Sequence, residues 1–304
     1  MQRRPQIAYW LPGILVFGAF AALVIFERRR PLRQSVEPRW RHDLRNLAVA
    51  ATSATALRLA EKPLLDLIAG AVEQRHWGLL QRCRISPIAE AAAALVLLDY
   101  TLFLWHVLLH RVPLLWRCHL PHHVDLDLTA STALRFHFTE LLLSVPWRAA
   151  QMILIGVRRQ TLALWQTATL VEILFHHSNL RLPCRLERML QWLIVTPRLH
   201  GIHHSAVRDQ TDSNWSSGLT LWDRLHGTLR RDIPQHAIGI GVPAYRDPDE
   251  LTLPRILEMP FGNPRPAWCA EGASKGSVQP SGTRGNFPIQ ERGGWCGSGG
   301  TACG

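Results

Sequence analysis

The chain has 304 residues, of which 47% are hydrophobic, with 12 Trp and 15 His, and its formal net charge is +11. Composition this apolar combined with charge this basic fits a membrane protein with basic loops better than a soluble globule. Nucleic acid is excluded as a partner for the charge, because the basic residues flank apolar stretches and form no patch interleaved with aromatics.

Taken in chain order, Tyr9 to Phe26 is apolar and uncharged, bounded by Arg3 and Arg4 before it and by Glu27 and Arg28 to Arg30 after it. It is near the lower length limit for a spanning helix, and without a small-residue cleavage site it reads as a retained span rather than a signal peptide. Asn46 to Val72 is apolar but interrupted by Arg58, Glu61, Lys62, Pro63 and Asp66, so it either crosses with a kink or dips in and returns. Ile88 to Leu109 is a better helix, opening on the run Ala91 to Ala94. Leu141 to Val157 and Leu162 to Phe175 flank Arg158-Arg159 and read as a helical hairpin with a basic tip. Leu190 to Val195 is too short to span and reads as interfacial. The expected fold is all-α, an integral membrane bundle of about four to five spanning helices.

Orientation follows from arginine. Residues 28–45 hold seven arginines, which places that loop in the cytoplasm. If 46–72 crosses once, the helix over 88–109 returns the chain and delivers His106 and His110 to the cytoplasmic end. The hairpin over 141–175 then brings His176 to the same side. A shallow re-entrant hairpin at 46–72 would upset that count.

Histidine carries the chemistry. His119-Leu120-Pro121-His122-His123 and His200-Gly201-Ile202-His203-His204 are both H-x-x-H-H, and His106 and His110 precede the first run at a spacing of four. Residues three and four apart share a helix face, so each run projects two or three imidazoles into one space. Histidine without carboxylate-rich or cysteine-rich company suits iron, zinc or copper. Structural zinc is usually closed by four ligands, often including cysteine, whereas these histidines suffice for two metals with positions left open. Cys83, Cys118 and Cys184 have no paired spacing and read as small buried residues. Asp99 shares a helical stripe with His106 and His110, where its carboxylate either accepts a ligand histidine's second N–H or serves helix pairing.

The ordered motifs resemble the fatty acid hydroxylase/sterol desaturase superfamily. The resemblance runs through Asp99-Tyr100, His106, His110, Leu115-Trp116, His119 and His122-His123, then Arg135-Phe136-His137 with Glu140. It continues through His177-Ser178-Asn179, Thr196 to His200, Asn214 and Leu221 to Thr228, and covers roughly residues 95–260. It implies a membrane-embedded non-haem diiron oxygenase with a cytosolic, histidine-rich helical cap. The implied iron ligands are His106, His110, His119, His122, His123, His176, His200, His203 and His204.

Several positions depart from the family pattern. The first histidine of the third cluster falls on Glu172, which either ligates iron or sits one turn below His176. His177 is expected to support the site. His137, followed by Phe138 instead of the usual proline, reads as a supporting donor paired with Glu140. His226 replaces a phenylalanine and reads as a packing substitution, and His42, His76 and His236 read as surface residues.

The implied cofactors are two Fe per chain and O2, and the implied reaction is hydroxylation or desaturation of a lipid C–H bond. No dinucleotide, haem-attachment or ferredoxin motif is present, so electrons must come from an external donor, a ferredoxin, cytochrome or reductase. Three regions are expected: N-terminal membrane helices and a basic loop over 1–84, a catalytic domain over 85–260, and a disordered Gly/Ser/Pro-rich tail over 261–304. Arginine outnumbers lysine, which points to a bacterial inner (cell) membrane with the site facing the cytoplasm. The competing readings are a membrane metal transporter or store, and a non-catalytic scaffold that retains the fold.

Overall fold

A computed structural model describes residues 10–268 of the chain, and within them it is helical, with isolated β-bridges and no strands. Helix α1 (Leu11–Arg29) opens with a proline in its first turn and ends on Arg28 and Arg29, where cations complement the helix dipole. Ile14, Leu15, Phe17, Ile25 and Phe26 stay exposed along it, a surface that lipid and not water would cover. Its one buried residue is Glu27.

Helix α2 (Arg39–Ala56) continues through a π-helical turn over Leu57–Glu61 into α3 (Lys62–Arg75). Pro63 has no N–H to give the ladder, and just before it the Lys62 amide bonds Leu57, five residues back. The interruption read in the sequence is therefore a bulge in a continuous helical run. Glu61 accepts from Arg148 at 2.6 Å, and Lys62 donates to Asp66 at 2.7 Å.

After the single turn α4 (Leu79–Arg82) comes α5 (Pro87–Arg111), whose Ser86 cap accepts from the Ala89 amide. At 25 residues it reaches about 37 Å. Glu90 in its first turn takes a two-pronged bond from Arg158 at 2.6 and 2.8 Å. One residue, Val112, separates α5 from α6 (Pro113–His123). Helix α7 (Phe138–Ile155) ends at Gly156, which sits at φ 83° so close to the 77–78 backbone that a Cβ on Gly78 would overlap Gly156 and one on Gly156 would overlap the Trp77 carbonyl. Helix α8 (Arg159–His177) follows, and the remainder is built from short helices: α9 (Cys184–Leu190), α10 (Pro197–His203), α11 (Arg208–Thr211), α12 (Leu221–Leu225) and α13 (Leu253–Glu258).

Among the described residues, α1 and α5 are the helices long and apolar enough to cross a membrane, fewer than the four to five expected. Glu140, Arg148 and Gln151 in α7, and Gln160, Gln166 and Glu172 in α8, lower the apolarity of the other two candidates. α8 packs against α1, α7 against α3, and both against α5. Between α7 and α5, Gln151 donates to the Thr101 hydroxyl.

A separate apolar cluster of Leu120, Val124, Leu126, Val242, Tyr245 and Leu251 supports the loops around α6. Residues 261–268 belong to this part of the fold and not to the tail, since Ala267 is buried there and Trp268 stacks on Trp116. The rest of the expected tail, 269–304, lies outside the described residues. Cys118 is buried as expected, whereas Cys83 is exposed at the surface.

Candidate metal centre

The C-terminal ends of three helices meet here. α5 ends with His106 and His110, α6 with His119, His122 and His123, and α8 with His176 and His177, while α10 adds His200 and His203, with His204 at its C-cap. Helical spacing puts each set on one face, and all but His110 are buried.

The imidazole nitrogens converge in two groups. His106, His110, His119 and His123 form the first, with ligand atoms all within 4.8 Å of one another. His122, His177, His200 and His204 form the second under the same limit, and His123, His203 and His204 make a third set that joins the two. In the second group Nε2 of His177 lies 3.0 Å from those of His122 and His200, and His204 Nε2 lies 3.1 Å from that of His200. Lone pairs so placed repel one another unless protons or a cation lie between them.

The first group is oriented from outside. His106 Nδ1 donates to the Trp215 carbonyl at 2.7 Å, His203 Nδ1 to the Ser213 carbonyl at 2.9 Å, and His119 Nδ1 to Glu140 Oε2 at 3.0 Å. A carbonyl only accepts, so each donor ring must be protonated at Nδ1, which leaves Nε2 as a lone pair aimed inward. Nε2 of His110, His119, His123 and His203 is buried without any protein partner. Such orphaned nitrogens are costly unless something receives them, and a metal ion fits that donor set.

Burial first, and then repulsion from neighbouring histidines, hold His122, His123, His200 and His204 well below the ordinary histidine pKa. Burial lowers His203 to about 3. These are neutral imidazoles at physiological pH, the form that binds metal.

The carbonyls that fix His106 and His203 are themselves held. Asp223 accepts from the Trp215 and Ser216 amides, both at 2.9 Å, and from the Thr228 hydroxyl at 2.6 Å. Asn214 adopts φ 52°, a left-handed conformation that asparagine tolerates, and clasps Leu199 and Arg230. The closing segment Leu221 to Thr228 thus acts through backbone geometry.

Behind α6 lies a buried polar network that motif reading missed. Asp125 bonds His42 Nε2 at 2.9 Å and lies 3.7 Å from Arg135, and Arg135 also donates to the Pro121 carbonyl at 2.8 Å. Burial alone would lower the His42 pKa, but the Asp125 carboxylate raises it to about 10. Burial would likewise raise Asp125, yet His42 and Arg135 keep it well below the usual carboxylate range.

Several expected roles change. His42 is a buried ion-pair partner and not a surface residue, whereas His76 and His236 are exposed. His177 takes a place in the second group, while His176 lies outside the converging sets with its ring 4.1 Å from that of His200. Glu172 is also outside them, with Oε1 buried and unpartnered. His137 caps α7: its Nδ1 accepts from the Thr139 amide and its Nε2 donates to the Leu257 carbonyl, so Glu140 is left for His119. Asp99 accepts from the Leu219 amide and Trp222 Nε1 at 3.0 and 2.7 Å, tying α5 to the closing segment instead of to a ligand histidine. His226 packs as expected, its ring 4.8 Å from Phe103.

Sequence comparison agrees with this geometry. Residues 91–228 match the fatty acid hydroxylase family, and they include every histidine of the two groups. Over this region the chain is similar to proteins of the fatty acid hydroxylase/sterol desaturase superfamily. It is 30% identical over 158 residues to ornithine lipid hydroxylase OlsE of Rhizobium tropici, covering 51% of this chain and 46% of that protein. It is 31% identical over 145 residues to a cholesterol 25-hydroxylase-like protein of Danio rerio, covering 46% and 55%. Alkylglycerol monooxygenase of Xenopus tropicalis is 27% identical over 133 residues, covering 43% and 28%. The chain therefore spans about half or less of the length of these curated relatives. No solved structure matches it significantly.

Proposed function

We propose that this chain is a membrane-bound oxidoreductase that hydroxylates or desaturates a C–H bond of a lipid, using O2 and electrons from an external donor. The observation that carries the reading is the pair of converging histidine groups with buried nitrogens that nothing in the protein receives. Two irons bound there would supply reductive activation of O2, which no side chain can perform alone.

The chain's own residues do the rest. His106, His110, His119 and His123 would hold one ion, and His122, His177, His200 and His204 the other, with His203 at the junction. Glu140 and the carbonyls of Ser213 and Trp215 set ring tautomer and aim. Burial keeps water from the centre. The two apolar helices α1 and α5 support a position for the centre at a membrane surface, where a lipid tail would reach it.

The test is anaerobic reconstitution of the detergent-purified protein with ferrous iron, followed by metal analysis and Mössbauer spectroscopy before and after O2. The expected result is about two irons per chain that convert to a coupled diferric state. A single tightly held zinc, or iron that ignores O2, would overturn the proposal in favour of a scaffold.

A further inference from the structure

Beside the histidine groups, at the end of α1, lies a cleft of about 540 Å³ lined by Glu27, Arg28, Arg33, Arg39 and Arg181 among others. Its walls come from two segments joined in antiparallel fashion. The Leu32 amide donates to the Asn179 carbonyl and the Arg181 amide to the Arg30 carbonyl, both at 2.8 Å. One paired segment thus begins two residues after His177, and the other one residue after α1 ends.

The charge in this cleft is one-sided. Four arginines face it against one carboxylate, Glu27, and that carboxylate already accepts the Ala130 and Asn179 amides at 3.0 and 2.9 Å. Arg39 lies 4.0 Å from Glu27, and Arg28 lies 3.8 Å from Asp43. The next carboxylate, Asp127, is taken by the Val36 and Glu37 amides. Arg33 packs tightly on Gly201, where a Cβ would collide with its guanidinium, and donates to Gln235 at 2.6 Å. Its Nε and Nη2 are buried without a partner. Burial and the nearby Arg198 lower Arg33 to about 10, so it stays charged at neutral pH. The cleft therefore holds a guanidinium that Asp127, Glu27 and Glu187 offset only from a distance and whose hydrogen bonds go to Gln235 and the Pro197 carbonyl, against the helix that carries His200 and His203.

We propose that this cleft binds the anionic headgroup of a membrane lipid, phosphate or carboxylate, with the acyl chains lying along α1. Three observations select a lipid. The cleft has the volume of a small polar group and not of a docked protein. It opens at the end of an apolar helix, where headgroups sit. Ile25 and Phe26, the residues of α1 nearest to it in sequence, are about half exposed, at 49% and 51%. Arg28 and Arg181 supply the fork geometry that pairs with phosphate or carboxylate oxygens. The inference concerns binding, and it stands whether or not the bound lipid is the one oxidised.

Calorimetric titration of the full chain in a non-ionic detergent tests it. The probes are dihexanoyl phosphatidylglycerol, dihexanoyl phosphatidylcholine and inorganic phosphate. Phosphatidylglycerol should bind at least about tenfold more tightly than either of the others. The triple variant Arg28→Gln, Arg39→Gln, Arg181→Gln should lose at least about tenfold in that affinity while keeping wild-type helicity and metal content. Arg181→Glu, a single change at an exposed site, should show the same direction if the triple variant folds poorly. Equal binding of the two lipids, inorganic phosphate binding as tightly as phosphatidylglycerol, or wild-type affinity in a folded variant would each overturn the assignment. Because the readout is lipid affinity, a failure of the oxygenase reading would leave this result interpretable.

Discussion

In the first histidine group the outward nitrogens of His106 and His119, and that of the junction residue His203, are tied to Trp215, Glu140 and Ser213. In the second group only His177 has such a tie, to the Ile173 carbonyl, and Nδ1 of His122, His200 and His204 is buried without a partner. The same residue type is thus fixed from outside in one place and by mutual crowding in the other. Preorganisation by outer hydrogen bonds raises metal affinity, so the two positions should differ in how firmly they hold an ion.

The largest effect that separates them is loss of a whole metal. Graded chelation should remove about one iron per chain from the second group before the first is touched, measured by metal analysis alongside Mössbauer spectra. His177→Ala should lose that same ion, His119→Ala the other, and His176→Ala neither. Retention of both irons in His177→Ala would return the ligand role to His176.

Next comes the scaffold behind α6. Asp125→Ala strands a buried His42 and Arg135, and should cost about 3–5 kcal/mol of stability in denaturant unfolding in detergent. Glu140→Gln should be milder, weakening iron at the first group by about 10–100-fold with the second unaffected. An equal loss at both groups would erase the contrast between them.

The smallest effect is on pH. His42 has a raised pKa in the fold, so its contribution is fully present below the unfolded histidine value and is lost as pH rises towards about 10. Asp125 has the opposite sign: its contribution is present above the ordinary carboxylate range and disappears as pH falls through its depressed value. Thermal unfolding of the metal-free protein should therefore shift downwards between about pH 6.5 and 10, and His42→Phe should flatten that slope.

Most of the centre was legible from spacing, since H-x-x-H-H and H-x-x-x-H on helices can only gather imidazoles on one face. The positions misread were those whose partner lies elsewhere in the chain. His137 and Glu140 are three apart and looked like a pair, but a cap residue turns back to its own helix's amides, which frees Glu140 for a ring 21 residues earlier. His42 matched no motif because its partner Asp125 is 83 residues away. Asp99 lay on the correct stripe, yet the bonds it makes run to a segment 120 residues on. The helices themselves were mostly visible as apolar runs. Their number as spans was not, because polar residues such as Gln151 in α7 and Glu172 in α8 lower the apolarity of runs that look long enough to cross.

Glu27 has a consequence for how the membrane acts on the centre. It sits in the last turn of an otherwise apolar and exposed helix and receives the amides of Ala130 and Asn179, the second of these two residues beyond His177. Any vertical displacement or tilt of α1 is therefore passed to the loops behind the second histidine group. Under the proposed function, hydrophobic thickness becomes a variable of the site: bilayers that mismatch the length of α1 should loosen an ion in the second group first, even where the lipid substrate is the same.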